Sequence, residues 1–149
     1  MTNLSAFLDT IAFSEGVYHR GDNGYNILVG FGTFYSYHDH PRKLITLNEK
    51  LKSTAAGRYQ ILARNYDHYK LILHLKDFSP ASQDAIATQM IKECYAIPDI
   101  ESGRFDLAVI KCAHIWASFP GAGYGQHENK IERLRDFYVS VGGTLSQTC

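Results

Sequence analysis

Phe13-Ser14-Glu15-Gly16 is the stretch at which the first apolar stripe of this chain ends. Upstream of it Leu4, Phe7, Leu8, Ile11 and Ala12 recur at the spacing of one helical face, and continuing that spacing carries Glu15 onto the same stripe. Gly16 is the residue that lets the backbone leave the helix. A carboxylate turned toward a core loses hydration, which disfavours its charged form and raises its pKa toward neutrality, where it can donate a proton. A glutamate at a helix end can equally swing its head group out to water. Helical phase alone leaves both readings open.

Working outward, Asn3 or Ser5 can cap this first helix, which runs to about Ser14. Tyr18-His19-Arg20-Gly21-Asp22-Asn23-Gly24 is turn chemistry, and the β-branched and aromatic residues from Tyr25 to Tyr35 predict a short hairpin or strand pair. Residues 36–42 form a polar loop, and alternation from Leu44 to Leu51 predicts a third extended segment. Ser53-Thr54 can cap a helix beginning near Ala55, with Tyr59, Leu62 and Ala63 inward; a further helical segment spans Tyr66 to Leu75. Ser79-Pro80 starts a helix whose Ile86, Met90 and Ile91 face inward, and Pro98 ends or follows it. Phe105, Ala108, Val109, Cys112, Ile115 and Trp116 predict the most buried helix, and Glu128 to Val141 the last one, with Gly142-Gly143 as its stop.

The 149 residues suffice for one domain with a single sizeable core and leave little room for a second. Fifteen acidic residues balance fifteen basic ones, which argues against nucleic acid or anionic membrane as the partner. Ten Tyr, eight Phe and one Trp suit a surface that holds something with both apolar and polar faces, such as a sugar ring. Cys94, Cys112 and Cys149 are odd in number and widely spaced, so no disulfide framework and no Cys-x-x-Cys metal site is signalled; the first two fall on apolar helix faces as buried thiols. Neither a secretory signal pattern nor an apolar run of membrane-spanning length is present.

Three segments at element ends carry chemistry: Ser14-Glu15-Gly16, then Ser53-Thr54-Ala55-Ala56-Gly57-Arg58-Tyr59-Gln60, then Gly121-Ala122-Gly123-Tyr124-Gly125-Gln126. Together with Asp39-His40-Pro41-Arg42-Lys43-Leu44, Lys76-Asp77-Phe78-Ser79-Pro80, Ser82-Gln83-Asp84-Ala85 and Ile115-Trp116-Ala117-Ser118, they make nearly the whole chain resemble the lambda-type phage endolysins, which are peptidoglycan lytic transglycosylases. The resemblance implies an α+β, lysozyme-like, two-lobed fold over residues 1–149, mostly helical, with a small β-sheet lobe and a substrate cleft between lobes. It implies that Glu15 is the catalytic acid and base. Sugar-binding roles fall on Ser53, Gln60 and Tyr124, with Thr54, Tyr59 and Gln126 beside them. It further implies no cofactor and no metal, glycan strands of peptidoglycan as the partner, a monomer, and residence in the host cytoplasm until a separate phage pore protein, a holin, gives access to the periplasm and wall. The tail after Gly143 departs from the family pattern and receives no role.

Hydrolytic phage lysozymes carry an acidic residue or cysteine, and then a threonine, at positions that are Gly24 and Gly30 here; Asp22 is near but out of register. An inverting hydrolase needs a second group to activate water. Its lack at the expected place favours attack by the muramic acid's own C6 hydroxyl, closing a 1,6-anhydro ring. His38-Asp39-His40 has the look of metal ligands, as in a zinc peptidase, though spacing supplies no third ligand and a solvated loop accounts for it as well. A wall-binding module without catalysis is the third alternative.

Overall fold

In the computed structural model, which describes residues 2–124 and 127–146, the N-terminal stripe forms α1 (Asn3–Ser14). The cap is Thr2, ahead of the expected Asn3 or Ser5: its hydroxyl accepts from the Ser5 amide at 3.1 Å. A 3-10 turn (Val29–Phe31), strands β1 (Ile45–Asn48) and β2 (Leu51–Ser53), and helices α2 (Ala63–Ile72), α3 (Pro80–Glu93), α4 (Ile97–Glu101), α5 (Phe105–Cys112) and α6 (Ile131–Ser140) follow in order. The chain divides into two compact units, Met1–Gly16 with Thr88–Cys149, and Val17–Ala87.

The first unit is helical, with α1 packed against α6 and α4, and α5 against α4 and α6. Its core is aromatic: Phe7 meets Phe105 and Phe119 edge-on at 5.9 and 6.1 Å, Trp116 lies 6.0 Å from Phe119, and Phe105 lies 4.4 Å from Tyr138. The predicted helix through Phe105 and Trp116 stops at Cys112 and continues as turns, so Ile115 is only half-buried while Trp116 stays inside. Burial on α1 is at least as extensive, with Ala6, Phe7, Thr10, Ile11, Ala12 and Ser14 inside. Pro98 belongs to the first turn of α4 rather than ending α3, because proline lacks only an amide hydrogen that the first turn does not use. Cys112 is buried as expected, whereas Cys94 is half-exposed; Cys149 lies outside the described residues.

The tail acquires a role that its sequence did not suggest. Asn3 Oδ1 accepts from both the amide and the hydroxyl of Thr144, Asn3 Nδ2 donates to the Ile100 carbonyl, and the Ser146 amide donates to the Gly103 carbonyl. These bonds tie residues 144–146 to the start of α1 and the end of α4.

The second unit holds the antiparallel β1–β2 hairpin, with Ile45 opposite Ser53. The expected strand pair between Tyr25 and Tyr35 is reduced to a bridge, Ile27 with Thr33, closed over the 3-10 turn. Residues 55–62 are not helical as predicted. Gly57 and Gln60 take φ of 83° and 50°, Ala56 bridges to Ile61, and α2 begins at Ala63. Its N-cap is Leu62 and not the expected Ser53-Thr54, although the Thr54 hydroxyl, nine residues upstream, accepts from the Ala63 amide at 3.0 Å. Phe78, Tyr66, Phe34 and His40 make the aromatic centre of this unit, the Phe78 ring lying 5.2 Å from Tyr66 and 4.8 Å from His40.

Candidate active site

Glu15 is the C-cap of α1, where the last turn of a buried helix sets its carboxyl at the edge of the core. Loss of hydration raises its pKa to about 7, against a smaller lowering by a hydrogen bond from the Ser118 hydroxyl. The group is therefore half-protonated near neutrality and can both give and take a proton. Ser118 is held in turn: its Oγ lies 2.7 Å from Ser14 Oγ, and Asn129 Nδ2 donates to Ser14 Oγ at 3.0 Å.

In the same unit the glycine-rich loop is pinned by Glu128, whose two carboxylate oxygens accept from the amides of Gly121 and Gly123, each at 3.0 Å. Glu128 thus stands outside α6, which starts at Ile131 and not at Glu128 as predicted. Tyr124 keeps 55% of its surface in solvent while its hydroxyl donates to the His114 carbonyl at 2.9 Å. Gln126 lies outside the described residues.

The second unit carries Ser53 at the end of β2, and Thr54, Tyr59 and Gln60 on the loop that follows it. Ser53 Oγ accepts from the Ala55 amide, and Gln60 Nε2 donates to the carbonyls of Gly57 and Ile27 at 2.8 and 3.2 Å, so its amide oxygen is turned away from the backbone it braces. Tyr59 differs from expectation. It is 1% exposed, and its hydroxyl donates to Asp84 at 2.6 Å and accepts from Arg58 at 3.1 Å, which makes it an anchor of the loop rather than a sugar contact. Gln83 completes the anchor: its Oε1 accepts from the Arg58 amide and its Nε2 donates to the carbonyls of Tyr25 and Phe78.

A family model described as Endolysin matches residues 5–145. The chain belongs to the endolysin family. It is 52% identical over 146 residues to an endolysin of Escherichia phage lambda, covering 95% of this chain and 92% of that protein, and 44% identical over 154 residues to an endolysin of Escherichia phage P2, covering 95% and 93%. A solved structure of bacteriophage lambda lysozyme complexed with a chitohexasaccharide superposes with a TM-score of 0.94 at 51% identity, and another of lysozyme from bacteriophage lambda with 0.90, each covering 97% of both chains. The lysozyme-like α+β fold implied by the sequence motifs is thus the fold of this endolysin.

Two positions that hydrolytic lysozymes fill with side chains are backbone devices in this endolysin. Gly24 has φ 88°, and a Cβ there would sit 3.0 Å from both the Val17 carbonyl oxygen and its Cγ2; Gly30 has φ 81°. Asp22 is occupied elsewhere, accepting from the Tyr37 hydroxyl at 2.6 Å. His38-Asp39-His40 does not assemble a metal site: His40 is buried, Nε2 bonds to the Ile61 carbonyl at 2.8 Å and Nδ1 accepts from the Arg42 amide, while Asp39 pairs with Arg42. Among the described residues no group of three or more His, Cys, Asp or Glu is placed to hold an ion.

Sequence reading passed over Ser14, Ser118, Asn129 and Glu128 as functional groups. Ser14 and Ser118 lie within short motifs of the chain, but their contact joins residues 104 positions apart and no local pattern announces it.

Proposed function

We propose that this endolysin cleaves the β-1,4 bond between N-acetylmuramic acid and N-acetylglucosamine by lytic transglycosylation, with Glu15 as the acid and then the base, within one catalytic domain. Peptidoglycan is what the endolysin degrades, and the lambda relative's complex with a chitohexasaccharide supports a β-1,4-linked glycan as the bound species. The observation that carries the chemistry is the Glu15 carboxyl raised by burial to about 7; at residue 24 the chain has a glycine in left-handed backbone, where a side chain would be strained.

Glu15 protonates the bridging oxygen as an oxocarbenium-like centre develops at the muramic acid C1. The ionised carboxylate then removes the proton from that sugar's C6 hydroxyl, whose oxygen closes on C1. A well-oriented internal nucleophile has an effective concentration of at least ~10⁵ M, so holding the ring matters more than activating water. We assign that hold to Ser53, Thr54 and Gln60 on the one hand and to Tyr124 and Gln126 on the other; Tyr59 supports the loop. The endolysin acts as a monomer without metal or cofactor, collects in the host cytoplasm, and reaches the periplasm and wall once a holin opens the inner membrane.

Mass spectrometry of murein digested in oxygen-18 water tests the chemistry. The expected products are muropeptides ending in 1,6-anhydro-N-acetylmuramic acid, lighter by one water than hydrolytic products and free of solvent label. Reducing ends labelled at C1, with no anhydro species, overturn the mechanism in favour of a hydrolytic muramidase. Lysis abolished by EDTA overturns the metal-free reading.

A further inference from the structure

We infer that the hollow between the end of β2 and the first turn of α2 is a subsite for an acidic peptide, the stem that peptidoglycan carries on its muramic acid, with Lys52 and Arg64 taking its carboxylates. The inference rests on the assignment of Ser53 and Thr54 to the sugar hold. The hollow encloses about 420 Å³, within the ~300–1,000 Å³ of small-ligand sites and well beyond the bulk of one carboxylate. Leu44, Leu62 and Ala63 make its apolar wall, and Lys52, Ser53, Thr54 and Arg64 its polar one. All seven belong to the same compact unit.

The polar side chains of this wall can all donate. Lys52 and Arg64 carry full charges and have no acceptor atom. The Ser53 hydroxyl accepts from the Ala55 amide and the Thr54 hydroxyl from the Ala63 amide, each at 3.0 Å, and each keeps its own O–H proton for a ligand. Both cations are exposed, and among the described residues neither forms an ion pair or a side-chain hydrogen bond. The acidic residue closest to Arg64 along the chain, Asp67, is held by both Arg42 amino groups at 2.6 and 3.1 Å, and Arg42 also pairs with Asp39. Opposite Lys52 on β1 stands the uncharged Thr46. No carboxylate lines the hollow, so two unneutralised cations and two hydroxyl donors select a ligand made of acceptors.

Peptidoglycan supplies such a ligand beside its sugars. Each muramic acid bears a lactyl group that is amide-linked to a short peptide with free carboxylates. A sugar held by the Ser53 and Thr54 hydroxyls brings its own stem to Lys52 and Arg64, with the methyl and methylene groups of the peptide against Leu44, Leu62 and Ala63. A neutral β-1,4 glycan reaches the hydroxyls and leaves the cations unused, so the hollow discriminates between glycans that the sugar hold alone treats alike. With a formal net charge of zero the chain exerts no overall pull on an acidic polymer, and recognition of the acid depends on local cations such as these.

The test measures kcat/KM for the native protein, Lys52→Gln, Arg64→Gln and the double variant on three solubilised glycans. The first keeps its stem peptides, the second has the carboxylates of those peptides amidated with carbodiimide in excess ammonia, and the third is stripped of peptide by an amidase, which leaves the lactyl carboxylate. Both positions are exposed, so the substitutions leave the core untouched. On the peptide-bearing glycan each single variant is expected to lose a few-fold and the double variant roughly tenfold, the scale of two partly solvated charge pairs. Native protein and double variant are expected to converge on the amidated and stripped glycans. A double variant that matches the native protein on the peptide-bearing glycan, or that loses as much on the amidated one, overturns the inference; a loss that persists on the stripped glycan overturns it in favour of the lactyl carboxylate. Ser53→Ala tests the sugar hold separately and is expected to lower kcat/KM on all three glycans. If it lowers none, the sugar hold fails, an outcome distinct from failure of the subsite, which is read from Lys52 and Arg64 alone.

Discussion

Replacing Glu15 by Gln keeps the side-chain volume and removes only the proton, so it isolates the chemistry of one residue. Lytic activity is expected to fall by roughly 10²–10⁴-fold, the scale of general acid–base catalysis. A purified, folded variant that kept more than about a hundredth of native activity would remove Glu15 from the mechanism. The same substitution has a stability consequence of opposite sense. The folded pKa of about 7 lies above the ordinary value of 4.5, so the folded state holds the proton more tightly and stability declines as pH rises from 4.5 through 7. Glu15→Gln lacks this decline. At pH 8 it should exceed the native protein by up to about 3 kcal/mol in urea melts, with the gap closing below about pH 4.5. Equal stability at both pH values would mean that the carboxyl is not strained by burial. Tyr59 shows the complementary lesson, since its hydroxyl, bonded to both Asp84 and Arg58, belongs to the frame although it sits in a motif to which we assign sugar binding.

At the scale of elements, the short helix α4 depends on one buried charge. Asp99 is 3% exposed at its first turn, where its oxygens take Arg104 Nε at 2.9 Å and Lys111 Nζ of α5 at 2.5 Å. The Lys111 hydrogen bond, with help from Arg104, holds this carboxyl below the usual carboxylate range. Asp99→Asn keeps the shape but loses two charge-assisted bonds. Because both cations can turn to solvent, the cost should be roughly 1.5–3 kcal/mol at neutral pH. The sign runs opposite to Glu15: the contribution is present above the unfolded pKa of about 4 and fades as pH falls through the lower folded value. Urea melts at pH 7 and pH 3 check this, and a difference between native and variant that did not shrink at pH 3 would refute the ion-pair account. The loop between β2 and α2 makes a second point about elements. Ser53-Thr54 predicts a helix from Ala55 that does not form: Gly57 and Gln60 take left-handed backbone, Gln83 holds the Arg58 amide, and the helix begins at Ala63 instead.

For the molecule as a whole, no helix among the described residues is long and apolar enough to cross a membrane, and the proposal places a holin upstream of wall access. Expressed alone in a Gram-negative cell, the protein should accumulate without lysing it, and turbidity should collapse only after chloroform or a pore protein opens the inner membrane. Prompt lysis with neither would show another route to the wall. Much of this molecule is determined locally. The stripe ending at Glu15, the Ser79-Pro80 start of α3 and the inward faces of α3, α5 and α6 follow from spacing and capping among near neighbours, and they stand in the structure with ends displaced by a few residues. The motifs around Glu15, Ser53 and Tyr124 were legible for the same reason: each is a short run. What only the tertiary structure decided is which way Glu15 faces and what touches it. Residue 118 returns to residue 14, residue 129 to both, and residue 83 to the loop at 57–58. Such contacts depend on how helices pack rather than on the sequence near either partner, and the burial that raises the Glu15 carboxyl is a property of the packed unit, absent from the residue alone.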